Sequence, residues 1–110
     1  MKKILISEII KGFDGKELQK DFTVKSVLLN LFGSAQAASG EEAIKIVKLG
    51  QDIYSSKDEF HFEEANESLI KKIIEQGITK FTAIVIAKLK EIIDNAMAYK
   101  PKEGKDETKS

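Results

Sequence analysis

Thr23-Val24-Lys25-Ser26-Val27-Leu28-Leu29-Asn30-Leu31-Phe32 decides the fold class of this chain. Val24, Val27, Leu28, Leu31 and Phe32 recur at i, i+3, i+4, i+7 and i+8, which puts them on one face of a helix. Thr23 stands where an N-cap hydroxyl is wanted. Gly33 weakens the helix, Ala35, Ala37 and Ala38 can extend it, and Ser39-Gly40 breaks it.

The same period returns three times downstream. Ser39 and Glu42 have capping-box spacing, which predicts that the hydroxyl caps the N3 amide and the Glu reaches back to the cap. A second helix is expected from Glu41 to Ser55, with Ala43, Ile46, Val47, Gly50, Ile53 and Tyr54 as its buried stripe and Ile44 widening it. A third is expected from Glu63 to Gln76. Glu63, Glu64 and Glu67 match the positive end of its dipole, Leu69, Ile70, Ile73 and Ile74 form its apolar face, and Gly77 stops it.

The last helix is expected from Thr79 to about Ala98, through Phe81, Ile84, Val85, Leu89, Ile92, Ile93, Ala96 and Met97. The β-branched cluster at Val85-Ile86 suggests a strand, but the stripe is too long for one. Ala83, Ile86 and Ala87 make this helix apolar on more than one side. It is therefore either the central buried element or the contact with a second subunit. Phe81, Ala83, Ile86 and Ala87 are the candidate interface residues, and a symmetric dimer is the favoured arrangement. The small residues of Ala35-Gln36-Ala37-Ala38 also allow close helix approach.

Two stretches read as extended. Lys3 to Ile10 is ambiguous and is taken as a short strand leading into a turn at Asp14-Gly15. Glu59-Phe60-His61-Phe62 would put both rings on one face and His61 on the other, and the two pieces can pair. The expected architecture is a mainly α, four-helix domain over residues 1–99 with a short N-terminal strand and minor β-pairing. Residues 100–110 carry no hydrophobic residue beyond a proline and are expected to be a disordered tail.

Composition removes whole classes of chemistry. The chain has 110 residues, no Cys and one His. Disulfides, thiolate metal sites and cysteine nucleophiles are out. His61 with flanking Asp58, Glu59, Glu63 and Glu64 is a poor metal site, because zinc recruits more His or Cys and the acids serve the helix start. No G-x-S-x-G, P-loop or G-x-G-x-x-G occurs, and Gly12-Phe13-Asp14-Gly15-Lys16 is a turn and not a phosphate loop. No catalytic residue, cofactor or metal is therefore assigned.

Eighteen cations balance eighteen acids, and every cation is Lys. Lys neutralises phosphates, but bidentate base reading is mostly Arg work, so nucleic acid is an unfavoured partner. The opening Met1 to Ile6 starts like a signal peptide, but Ser7-Glu8 ends the apolar run too early. No stretch approaches the roughly 20 apolar residues of a membrane span. A soluble, cytoplasmic, non-enzymatic protein is expected, acting as a homo-oligomer or on one protein partner, with a weak Lys-based nucleic-acid-binding regulatory protein as the alternative.

One resemblance bears on this. Gly12 to Leu18, Thr23 to Leu31, Gly40-Glu41-Glu42, Leu49 to Tyr54, the acidic helix start and Leu69-Ile70-Lys71 follow an order similar to that of small phage and prophage proteins of unknown role. At the last helix, where those proteins carry a short proline-containing stretch, this chain has Thr79-Lys80-Phe81-Thr82. The resemblance implies a virus-derived accessory protein in a bacterial cytoplasm, with no catalytic residues carried across.

Overall fold

A computed structural model describes residues 1–98, and the tail expected at 100–110 lies outside them. In chain order the elements are β1 (Lys2–Leu5), α1 (Val24–Gly33), α2 (Gly40–Ser55), β2 (Glu59–Phe62), α3 (Glu67–Gln76), α4 (Ala83–Asp94) and β3 (Met97–Ala98). Four helices and a small sheet make the mainly α fold with minor β-pairing that the sequence predicts.

The sheet has the order β2-β1-β3, antiparallel throughout, with Lys2 opposite Phe62 on one side and Ala98 on the other. The expected pairing of the two extended pieces is thus real. The alternation of β2 buries Phe60 and Phe62, whose rings lie 5.7 Å apart, and leaves His61 on the opposite face. The strand at the start is shorter than expected. Beyond Leu5 the chain stays extended without a regular ladder: Ile6 N–H donates to the Asp58 carbonyl, and Ile10 N–H to that of Phe22. Ile4, Ile6 and Ile10 all point into the core. The expected turn forms between Gly12 and Lys16, with Gly15 at φ +78°, a conformation that suits glycine.

Helix ends follow the sequence with three corrections. Thr23 caps α1 as expected: its Oγ1 accepts from Ser26 N–H at 3.2 Å, and Ser26 Oγ accepts from Thr23 N–H at 3.1 Å. Ser39 Oγ caps Glu42 N–H, but the Glu42 carboxylate reaches one residue further back, to Ala38 N–H. The third helix opens with a 3-10 turn over Glu64–Asn66, so α3 begins at Glu67.

The last helix is much shorter than expected. The chain passes through a 3-10 turn at Gly77–Thr79, α4 starts only at Ala83, and it ends at Asp94. Its apolar period continues to Met97, but Met97 and Ala98 pair with β1 instead. A free sheet edge outcompetes a helix end whose last turn is held by few hydrogen bonds.

Helix α1 packs along α2, while α3 packs on both α1 and α4. The core joins Val24, Val27, Leu28, Leu31 and Phe32 of α1 to Ile70, Ile73 and Ile74 of α3 and Val85, Ile86, Leu89 and Ile93 of α4. The α1–α2 connection is tied down by Gln76, whose side chain accepts from Gln36 N–H at 2.9 Å and donates to the Gln36 carbonyl at 3.0 Å.

Candidate interaction surface

The residues with catalytic potential do not converge. His61 Nε2 lies 3.1 Å from Glu59 Oε1, and Lys3 Nζ bonds the other Glu59 oxygen at 3.2 Å. The hydrogen bond from His61, and next that from Lys3, holds the Glu59 carboxyl below its ordinary range. This cluster sits on the outer face of the sheet and makes an ionic clasp between β1 and β2. Among the described residues, no group of three or more His, Asp or Glu is placed to hold a metal ion.

The fold places the four candidate interface residues in different surroundings. Ile86 is only 6 % exposed and packs inside the domain, so its apolar surface is already covered by this chain. Phe81 precedes α4 and is half-buried against Phe22, with ring centroids 6.3 Å apart. Ala83 and Ala87 are exposed on α4. Most of the surplus apolar surface of the last helix is absorbed by α3, the turn that follows it and β1, which matches the first of the two arrangements the sequence allowed.

The unabsorbed surplus lies elsewhere, on α2. The expected stripe of α2 is rotated: Ile46, Leu49 and Ile53 face the core, while Ile44, Val47 and Tyr54 are 60 %, 57 % and 74 % exposed. The inner residues are spaced three then four apart. The outer residues 44, 47, 51 and 54 repeat at three, four and three, the spacing of a coiled-coil seam. Helix α2 packs chiefly against α1, so one of its two seams stays uncovered.

Helix α1 adds to this surface. Leu29, Phe32 and Gly33 of α1 line an open groove of about 380 Å³ with Val47, Gly50 and Tyr54 of α2. Gly50 faces Phe32 across the groove, where a Cβ would stand 3.6 Å from Phe32 Cβ, an ordinary contact. At the end of the groove Lys25 Nζ bonds the Ser56 carbonyl at 2.6 Å and stands 5.9 Å from the Tyr54 ring centroid. The cation holds its place beside a largely exposed ring. Comparison with protein-family models, curated proteins and solved structures finds no match for this chain. Among the described residues no helix is long and apolar enough to cross a membrane.

Proposed function

We infer that the chain is a non-enzymatic interaction protein that receives one protein partner on the outer face of α2 and its groove with α1. The carrying observation is the exposed seam of Ile44, Val47 and Tyr54. Contiguous exposed apolar surface of this kind is what partner helices bury. The lack of a nucleophile constellation in the sequence supports a binding role. The ion pairs of Lys2, Lys3, Lys71, Lys72, Lys88 and Lys90 with neighbouring acids favour a protein partner over a phosphate backbone. An accessory role of the kind implied by the likeness to small phage proteins is in keeping with such a module.

The test is a photo-crosslinking residue placed at Val47 and, as a control, at exposed Glu17, each expressed in the source cell. An adduct from position 47 and none from position 17 is expected. Equal labelling from both, or none from 47, refutes the reading.

A further inference from the structure

Apart from the face of α2, we propose a second docking site: the open backbone edge from Leu5 to Ile9 takes an extended segment of a protein partner as an added β-strand. An antiparallel strand turns its N–H and C=O groups to alternate sides, residue by residue. In this segment the even-numbered residues spend theirs inward. Ile6 N–H donates to the Asp58 carbonyl and the Ile6 carbonyl accepts from Lys25 N–H, both at 2.9 Å. The Glu8 carbonyl accepts from Val24 N–H, and Ile10 N–H donates to the Phe22 carbonyl, again at 2.9 Å. The odd-numbered residues turn the other way. Lys3 meets Met97 of β3 on that side, and β3 reaches no further. By the same register Leu5 would pair with Asn95, but Asn95 N–H is taken by the Glu91 carbonyl at the end of α4. Leu5, Ser7 and Ile9 are left with N–H and C=O groups that have no hydrogen-bond partner among the described residues.

The edge has room beside it. A cleft of about 180 Å³ lies along Leu5 toward Ile92 and Ala96, and one of about 430 Å³ lies along Ser7 and Ile9. Neither shares a residue with the groove between α1 and α2.

The unpaired groups say what fits. Three residues at alternate positions, spanning about 13 Å, offer donors and acceptors at strand spacing. An extended backbone matches that spacing, whereas a helix has already spent its own groups. Met97–Ala98 shows the mode within this chain, being a short extended piece seated on the same edge at Lys2 and Lys3. Side chains set the pattern of the occupant. Leu5 is exposed and Ile9 half-buried, so residues placed opposite them are best apolar, which repeats at alternate positions. Lys88, Glu91 and Ile92 of α4 line the clefts. A bare strand fits beside them, whereas the edge of a second copy would bring its own α4 to the same side.

The probe is a capped peptide, Lys-Val-Thr-Val-Thr-Val-Lys, titrated into the isotope-labelled full chain and followed by amide NMR. In the free chain the Leu5, Ser7 and Ile9 amides should exchange with solvent faster than those of Ile6 and Ile10. On titration those three should shift, saturate below about 1 mM and become protected. Methylating the valine nitrogens, which face Leu5, Ser7 and Ile9 when the valines share their face, should abolish binding. Methylating the threonine nitrogens should not. Ser7→Pro removes one outward N–H and no inward bond, so it should keep the thermal midpoint and lose the peptide. The methylated peptides decide the matter even if that variant does not fold. No saturable shift at the three amides overturns the proposal, as does equal binding of the valine-methylated peptide. Shifts confined to Val47 and Tyr54, or a concentration-dependent shift of the three amides without peptide, also overturn it. The first outcome would leave the α2 face as the site, and the second would assign the edge to a second copy.

Discussion

Replacing Gly77 with Ala should destabilise the domain, for a reason of space. Gly77 follows α3 as its cap, at φ −78°, a conformation open to any residue. Its lack of a side chain matters because the chain turns here against the core. A Cβ at Gly77 would overlap Leu31 Cδ2 and come within 3.3 Å of Ile86 Cδ1. Both neighbours are buried, Leu31 at 2 % and Ile86 at 6 % exposure, so neither can swing into solvent. Overpacking of this kind costs about 1–3 kcal/mol. The reduced freedom of the unfolded chain returns about 0.4–1 kcal/mol. The net loss is on the order of 1–2 kcal/mol, or roughly 5–15 °C in the thermal midpoint of a domain this size. Gly33→Ala is the matched control: a Cβ there meets nothing within 4 Å, inside a helix that gains from Ala. It should raise the midpoint. Circular dichroism melts of the two variants decide the matter, and trimming Leu31 to Val in the Gly77→Ala background should recover part of the loss. If Gly77→Ala melts with or above the wild type, the steric account is wrong.

Three further outcomes are expected. Ile86→Glu should abolish cooperative unfolding, because a carboxylate forced among Leu31 and its neighbours has no partner; a folded monomer by circular dichroism and light scattering would contradict the core placement. Thr23→Ala removes one half of the α1 capping box and should cost about 1 kcal/mol in urea unfolding, whereas Thr23→Ser should recover most of it. Glu67 is held below its ordinary 4.5 by hydrogen bonds from Lys2 and then Lys71, and Glu42 likewise by Lys72 and then Ala38 N–H. Folding therefore favours their ionised forms. That stability is fully present above the unfolded value and is lost as pH falls through the lower folded one. The urea midpoint should fall below about pH 4.5, more gently in Glu67→Gln, and an unchanged acid slope in that variant would remove Glu67 from the account.

The helices were legible wherever period and caps agreed. Thr23 with the Val24–Phe32 stripe and Ser39 with Glu42 set the starts of α1 and α2 without help from the rest of the chain. Alternation placed Phe60 and Phe62 on one face of a strand and allowed its pairing with the first strand, which the sheet then shows. The end of α4 was not. Met97 fits the helical period as well as it fits β1, and only the unpaired edge of a strand 94 positions earlier decides between them. The exposed apolar face of α2 was missed for a related reason. Ile44, Val47 and Tyr54 belong to a broad apolar arc that also holds Ile46, Leu49 and Ile53. Periodicity cannot say which half of such an arc the neighbours will cover. The available signal was the width of the arc, more than one stripe requires; the same surplus on α4 was absorbed by the core.

The sheet order sets a schedule for the nascent chain. The strand made first is the central one, and its two neighbours arrive late, at Glu59–Phe62 and at Met97–Ala98. Until then Lys2–Leu5 has both edges open, with Ile4 and nearby Ile6 unburied. Closing a loop that joins Lys2 to Ala98 is entropically expensive, and contacts this distant in sequence slow folding. A truncated product ending after α3 would carry a sheet with one edge still unpaired, beside a core stripped of the Val85, Ile86, Leu89 and Ile93 contacts. Such a fragment would be a substrate for chaperones and proteases during synthesis, since an unpaired strand edge and bare core surface are what aggregate.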